Sequence, residues 1–318
     1  MSFAPVARLA LTLTCLTTLS ACSVHPAGTG GAQDSTKPFT VFATTGYLGD
    51  LAKNLAPDAK ITVMVKPGGD PHTYQPSTQD IAAMRDADVV ISNGAHLEAM
   101  MIDQLASLGD RHLAVSERLP QDKLLPWPEK DDKGNALHDP HIWNDPDLWK
   151  SVTIEVANKL GEKSPKRQDA ITKAATEYTG KIEATKNKVT DILKDIPQER
   201  RVLITGHDAF NYFGRAFSLE VKATDFVTSE ANMSATQLQE LAIFIVARKI
   251  PTIFQDNVKN PQAVTSLEES VKALGGKVTV SDKELYADSL GDRPPADTYL
   301  GALESNAAAV AEALSPKN

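Results

Sequence analysis

The chain has 318 residues and a formal net charge of −8, with 41 acidic side chains against 33 basic ones. It is long enough for two domains, and its acidity argues against a nucleic-acid partner. Both cysteines, Cys15 and Cys22, lie at the extreme N-terminus, which excludes a disulfide framework and a thiolate zinc site.

Residues 1–22 read as a secretory signal peptide. Arg8 precedes the apolar run 9–16, which is too short to span a bilayer, and small residues then lead to a cleavage point. The ending Leu19-Ser20-Ala21-Cys22 resembles a bacterial lipoprotein signal. That resemblance implies that Cys22 becomes the lipidated first residue of the mature chain. Residues 23–38, rich in Ser, Gly, Pro, Ala and Thr, are expected to be a flexible tether.

From residue 39 strands and helices alternate. Residues 39–44 are β-branched and aromatic, and Leu48, Leu51 and Leu55 follow at helical spacing. Residues 61–65 predict a strand, directly followed by the loop Lys66-Pro67-Gly68-Gly69-Asp70-Pro71-His72. Ser77 is placed to cap a helix over Ile81 and Met84; a strand at 88–92, a helix at 96–108 and a short strand at 113–115 follow. The stretch 118–136 holds Pro, Gly and a mixed charge run, and reads as an exposed loop. Such alternation predicts a parallel sheet with helical cover.

Leu148, Val152, Val156 and Leu160 repeat at i+4, marking one helix. After Ser164-Pro165, an N-cap and first-turn pair, Ile171, Ala175, Tyr178, Ile182, Val189 and Ile192 extend a second to about residue 195. At 1.5 Å per residue it would be about 45 Å long, too long for a crossover within one small sheet. Alternation then restarts: strands at 201–205, 221–226, 252–255 and 277–280, helices at 234–247, 261–274 and 299–314. The expected fold is α/β with two lobes, 39–163 and 197–318, each a parallel sheet with helical cover. A long rigid helix within 164–196 joins them.

Histidine is scarce, with seven in the chain, yet the tripeptide Asp-Pro-His occurs twice, at 70–72 and 139–141. Proline fixes its own φ and restricts its predecessor, so each histidine is presented from a stiff backbone. Open parallel sheets bind ligands beyond the carboxyl ends of their strands. His72 and His207 each follow a strand, Asp288 lies after the last strand, and His141 precedes the first helix of the central pair. Three neutral imidazoles and one carboxylate, two from each lobe, suit a divalent metal such as Zn²⁺ or Mn²⁺. Neutral imidazole is required for binding, so affinity should fall as pH drops through about 6.5. Alternatives compete: His207 with Asp208 as its orienting acid could be a general base, and Asp288 could simply form a turn. Glu230 is a candidate outer acid, and His96 and His138 have no comparable setting.

Four segments in order resemble the metal-binding lipoproteins of bacterial ABC importers for zinc and manganese, the TroA-like and ZnuA-like solute-binding proteins. They are Gly69-Asp70-Pro71-His72-Thr73-Tyr74-Gln75-Pro76, Asp139-Pro140-His141-Ile142-Trp143, Gly206-His207-Asp208-Ala209-Phe210 and Leu285-Tyr286-Ala287-Asp288-Ser289-Leu290-Gly291. Asn93-Gly94-x-His96-Leu97-Glu98 matches a further family segment. The resemblance implies metal held by His72, His141, His207 and Asp288 in the cleft between lobes. It also implies delivery to a membrane permease driven by an ATPase, by a monomer anchored through lipid outside the cytoplasm. Two departures bear on the metal. The histidine-rich loop of dedicated zinc members is missing, whereas many manganese members carry Glu where this chain has His207. A lipid-anchored metallohydrolase using the same shell, or a surface adhesin, are the alternative readings.

Overall fold

In a computed structural model, residues 37–130, 134–224, 233–257 and 261–316 are described. Runs rich in β-branched residues build the first sheet, from β1 (Thr40–Ala43), β2 (Lys60–Val63), β3 (Val89–Ser92) and β4 (His112–Ala114). All are parallel, in the order β2-β1-β3-β4. Central β3 is buried at every position, as a strand covered on both faces must be, and its continuous Val-Val-Ile run fits that place. The cover comes from α1 (Gly46–Leu55), α2 (Thr78–Asp86) and the short α3 (Ile102–Ala106). Ser77 caps α2 through a full capping box with Asp80.

Three expectations for this half need correction. The helix foreseen at 96–108 is only a 3-10 turn, Ala99–Met101, followed by α3. Gly94, Ala95 and His96 all have positive φ (76°, 48° and 67°), a left-handed turn from which no right-handed helix can start. The stretch 118–136 is not simply a loop, for β5 (Pro126–Lys130) and β6 (Ala136–His138) pair antiparallel across it. Its Trp127 and Leu124 are buried, which anchors the hairpin on the lobe. Ser164 does not cap the long helix with its hydroxyl, which instead accepts from Arg167 Nη1 at 2.9 Å.

Two helices then run back to back. In α4 (Pro146–Lys163), Asp145 accepts from the amides of Asp147 and Leu148, with proline in the first turn. After a 3-10 turn, Pro165–Arg167, comes α5 (Gln168–Leu193), 26 residues long. That is about 39 Å at 1.5 Å per residue. Its buried stripe Ile171, Ala175, Tyr178, Ile182, Thr185, Val189 and Leu193 recurs every three or four residues, as one face of a helix requires.

The second half repeats the plan. Its strands are β7 (Val202–Thr205), β8 (Glu220–Ala223), β9 (Thr252–Ile253) and β10 (Thr279–Val280). They run parallel in the order β8-β7-β9-β10, with β7 joined to the β9 segment through a Thr205–Phe254 bridge. Around them lie α6 (Asn211–Phe217), α7 (Ala235–Arg248), α8 (Pro261–Ala273) and α9 (Tyr299–Leu314). Helix α5 packs against α1 and α4 from the first half and α9 from the second. One hydrophobic core continues through this seam, from Leu51 and Val89 by way of Trp143, Trp149 and Tyr299 to Tyr212 and Phe213. Residues from Pro38 onward therefore form one compact unit in which two lobes share a core. Among the described residues no helix is long and apolar enough to cross a membrane.

Candidate metal centre

His72, His141, His207 and Asp288 come together, with one donor atom from each lying within 4.8 Å of all the others. None is more than 7 % exposed. Among the described residues no other group of three or more His, Cys, Asp or Glu converges in this way. His72 and His141 are supplied by the first lobe, His207 and Asp288 by the second.

The repeated Asp-Pro-His tripeptide has a local cause. In each copy the aspartate accepts from the histidine amide two residues on: Asp70 Oδ1 from His72 N at 2.8 Å, and Asp139 Oδ1 from His141 N at 2.9 Å. These are Asx turns, which aim the chain and the imidazole together. The second copy goes further, because Asp139 Oδ1 also meets His141 Nδ1 at 2.7 Å. That contact leaves Nε2 directed at the site, the usual way a carboxylate fixes a ligating ring. Asp139 is itself tied to the second lobe, its carboxylate to Asn211 Nδ2 at 3.2 Å and its carbonyl to the Tyr212 hydroxyl at 2.9 Å.

His207 is oriented by Asp256, not by the adjacent Asp208. Asp256 Oδ2 accepts from the His207 amide at 3.1 Å and stands 3.1 Å from Nδ1. Asp208 instead accepts from Asn211. Gly206 makes the Asp256 contact possible, since a Cβ there would sit 2.9 Å from Asp256 Oδ2. Asp139 and Asp256 are thus the two outer acids that sequence reasoning missed. Asp139 was visible inside its motif, whereas Asp256 carries no local signal. Glu230 lies outside the described residues.

Asp288 faces all three rings. Its Oδ1 is 3.3 Å from His141 Nε2, and its Oδ2 is 3.1 Å from His207 Nε2 and 3.5 Å from His72 Nε2. His72 Nε2 and His141 Nε2 are 3.3 Å apart. Bonds of about 2.0–2.1 Å at tetrahedral angles would place donor atoms about 3.3–3.4 Å apart. The four observed distances, 3.1–3.5 Å, bracket that figure, while the full set of donors lies within 4.8 Å. Both ring nitrogens of His207 and both Asp288 oxygens are buried without an aligned hydrogen-bond partner, short though the ion-pair distances to Asp256 and among the donors are. Buried polar atoms that converge without satisfying one another are the kind of donor set that a cation completes.

The electrostatics agree. Burial works against a charged His141, but Asp139 and Asp288 outweigh it and push the imidazole up to about 9. Burial likewise opposes charge on His207, yet Asp256 and Asp288 hold it well above its ordinary value. Burial would raise Asp288, but His207 and His141 keep its carboxyl well below the usual carboxylate range. Protons on His141 and His207 and a divalent cation therefore compete for the same donors.

Comparison with known proteins places this arrangement. The family model described as the periplasmic component A of a zinc-uptake complex matches residues 41–313. The zinc-binding protein TroA of Treponema pallidum is 34% identical over 294 residues, 91% of this chain and 93% of that one. The manganese-binding lipoprotein MntA of Bacillus subtilis is 30% identical over 300 residues, 93% and 95% of the two chains. The solved structure of the periplasmic zinc-binding protein TroA from Treponema pallidum matches with a TM-score of 0.82 at 33% identity, covering 88% of this chain and 100% of that one. The chain belongs to the family of periplasmic metal-binding components of zinc-uptake complexes, with the two-lobed α/β fold of TroA.

Proposed function

We propose that this chain is an extracytoplasmic solute-binding lipoprotein. It captures a divalent transition metal, Zn²⁺ or Mn²⁺, between its lobes through His72, His141, His207 and Asp288, and delivers it to the permease and ATPase of an ABC importer. The observation that carries this reading is the convergence of four buried donors, two from each lobe, at spacings an ion would bridge. The relatives named above are a zinc-binding and a manganese-binding protein, and they support the cargo. A metallohydrolase needs an open coordination position with a base beside it, whereas here four protein donors face one point. Neither hydrolysis nor adhesion finds support in the comparisons, and we read the chain as a carrier that leaves its cargo unchanged. In this reading residues 1–22 are the signal, 23–38 the tether, 39–163 and 197–318 the lobes and 164–196 the linking helix, and the carrier acts as a monomer.

The metal itself is tested by competition. Three nitrogens and one carboxylate favour Zn²⁺ over Mn²⁺, because affinity at a given N/O site stands well above manganese at zinc. Demetallated protein loaded with Mn²⁺ at pH 7.5 is expected to exchange it for equimolar Zn²⁺, as followed by elemental analysis after desalting. Retention of Mn²⁺ in that exchange would show that the shell has been misjudged. Binding of neither ion would remove the carrier reading altogether.

Cys22, outside the described residues, is the proposed lipidation site. Wild-type protein is expected in the membrane fraction and Cys22→Ala in the soluble one. A wild-type protein released freely would defeat the anchor.

A further inference from the structure

His141 and His207 each have a carboxylate behind them, Asp139 Oδ1 bonded to the His141 ring at 2.7 Å and Asp256 Oδ2 bonded to the His207 amide at 3.1 Å. Among the described residues, by contrast, no side chain is hydrogen-bonded to the Asp288 carboxylate. Its position is set through its main chain. Asn257, buried just beyond β9, accepts from the Ala287 amide with Oδ1 at 2.9 Å and donates through Nδ2 to the Ser289 carbonyl at 2.6 Å. One carboxamide therefore brackets Asp288 on both sides. The same Nδ2 also reaches Ser289 Oγ at 2.8 Å, and that hydroxyl accepts from the Gly68 amide of the other lobe at 3.0 Å. Asn257 directly follows Asp256, so adjacent residues hold both donors of the second lobe.

From this geometry we infer that Asn257 is a specificity-determining positioning residue. By fixing the chain on either side of Asp288, it holds both carboxylate oxygens towards the ion: Oδ1 faces His141, and Oδ2 faces His72 and His207. This inference rests on the carrier reading above and deepens it. A tetrahedral Zn²⁺ is complete with three imidazoles and one carboxylate oxygen. Mn²⁺ favours more oxygen donors and a larger coordination number, and so depends on the second oxygen. Trp143 Nε1 and the Tyr47 hydroxyl still hold the Ala287 carbonyl at 2.8 and 3.1 Å. Release of the bracket therefore frees the Ser289 side of the loop, and the carboxylate then turns to offer one oxygen only, at a cost borne mainly by Mn²⁺.

The test is Zn²⁺ and Mn²⁺ binding by wild type, Asn257→Ala and Ser289→Ala, with thermal melts of each metal-free protein. Asn257→Ala is expected to raise the Mn²⁺ Kd by about 10- to 100-fold, the range of outer-shell substitutions, while the Zn²⁺ Kd moves by less than about threefold. X-ray absorption of the Mn²⁺ that remains bound should lose one oxygen from its shell. Ser289→Ala keeps both arms of the bracket and is expected to leave the Zn²⁺/Mn²⁺ ratio unchanged. If the alanine variant does not fold, Asn257→Asp, which keeps the acceptor but cannot donate to Ser289, gives the same ratio readout. Equal losses for both metals, an unchanged ratio, or an equal shift in Ser289→Ala would each overturn the role of Asn257. Failure of the wild type to bind either ion would instead overturn the carrier reading.

Discussion

Alanine in place of any one of His72, His141, His207 or Asp288 is expected to raise the metal Kd by at least about 100-fold, close to 2.7 kcal/mol. Outer-shell substitutions already cost about 10- to 100-fold, and loss of a donor removes a bond as well as its orientation. Water cannot readily replace the lost atom, because the donors are buried and held from behind by Asp139, Asp256 and the Asn257 bracket. Two such substitutions combined should cost less than the sum of the two, since the donors act as one unit. His96→Ala and His112→Ala are the controls: neither side chain belongs to the converging group, and His112 is occupied with Ser92 Oγ at 2.7 Å. Calorimetric titration measures all six variants. Normal binding by Asp288→Ala would mean that the fourth donor is misassigned.

Metal affinity is also expected to climb steeply with pH, over a window higher than free imidazole would give. From composition alone the affinity should fade near pH 6.5. The structure moves that limit upward, because Asp139 and Asp288 hold the proton on His141 up to about 9 and His207 is raised in the same sense. The sign follows from competition. Below about pH 9 a proton competes for the nitrogen that the ion needs, so each unit of falling pH weakens binding about tenfold per displaced proton. Above pH 9 the His141 contribution levels off. Calorimetry at pH 7.5 in buffers of different ionisation enthalpy should register release of at least about one proton per ion bound. A Kd that stays flat between pH 6 and 8 would falsify the pairing of these rings with their carboxylates.

How far the sequence could be read depended on whether a feature was local. The Asp-Pro-His repeat announced two donors because an Asx turn is completed within three residues. Helix α5 was legible because its buried face repeats over 26 residues. Ser77 could be recognised as a cap because its partner, Asp80, stands three positions away. The partners that orient the donors were hidden, since Asp256 meets His207 from 49 positions away and follows a strand of only two residues. The β5–β6 hairpin was masked by Pro126 and Pro128, residues that argue against a strand yet fit this isolated two-stranded ribbon. The helix expected from residue 96 failed on backbone handedness, which residue type did not disclose at Ala95 and His96.

The distribution of the donors along the chain has a bearing on the life of the protein between rounds of transport. An ion at this point ties together segments that span residues 72 to 288, and it does so only while the chain is folded. Ligation of that kind adds about 4 kcal/mol to stability when free metal exceeds the Kd a thousandfold. The loaded carrier is thus expected to resist heat and proteases better than the metal-free form. In the proposed cycle each delivery would return a more fragile molecule, and metal starvation would shorten the survival of the protein that relieves it.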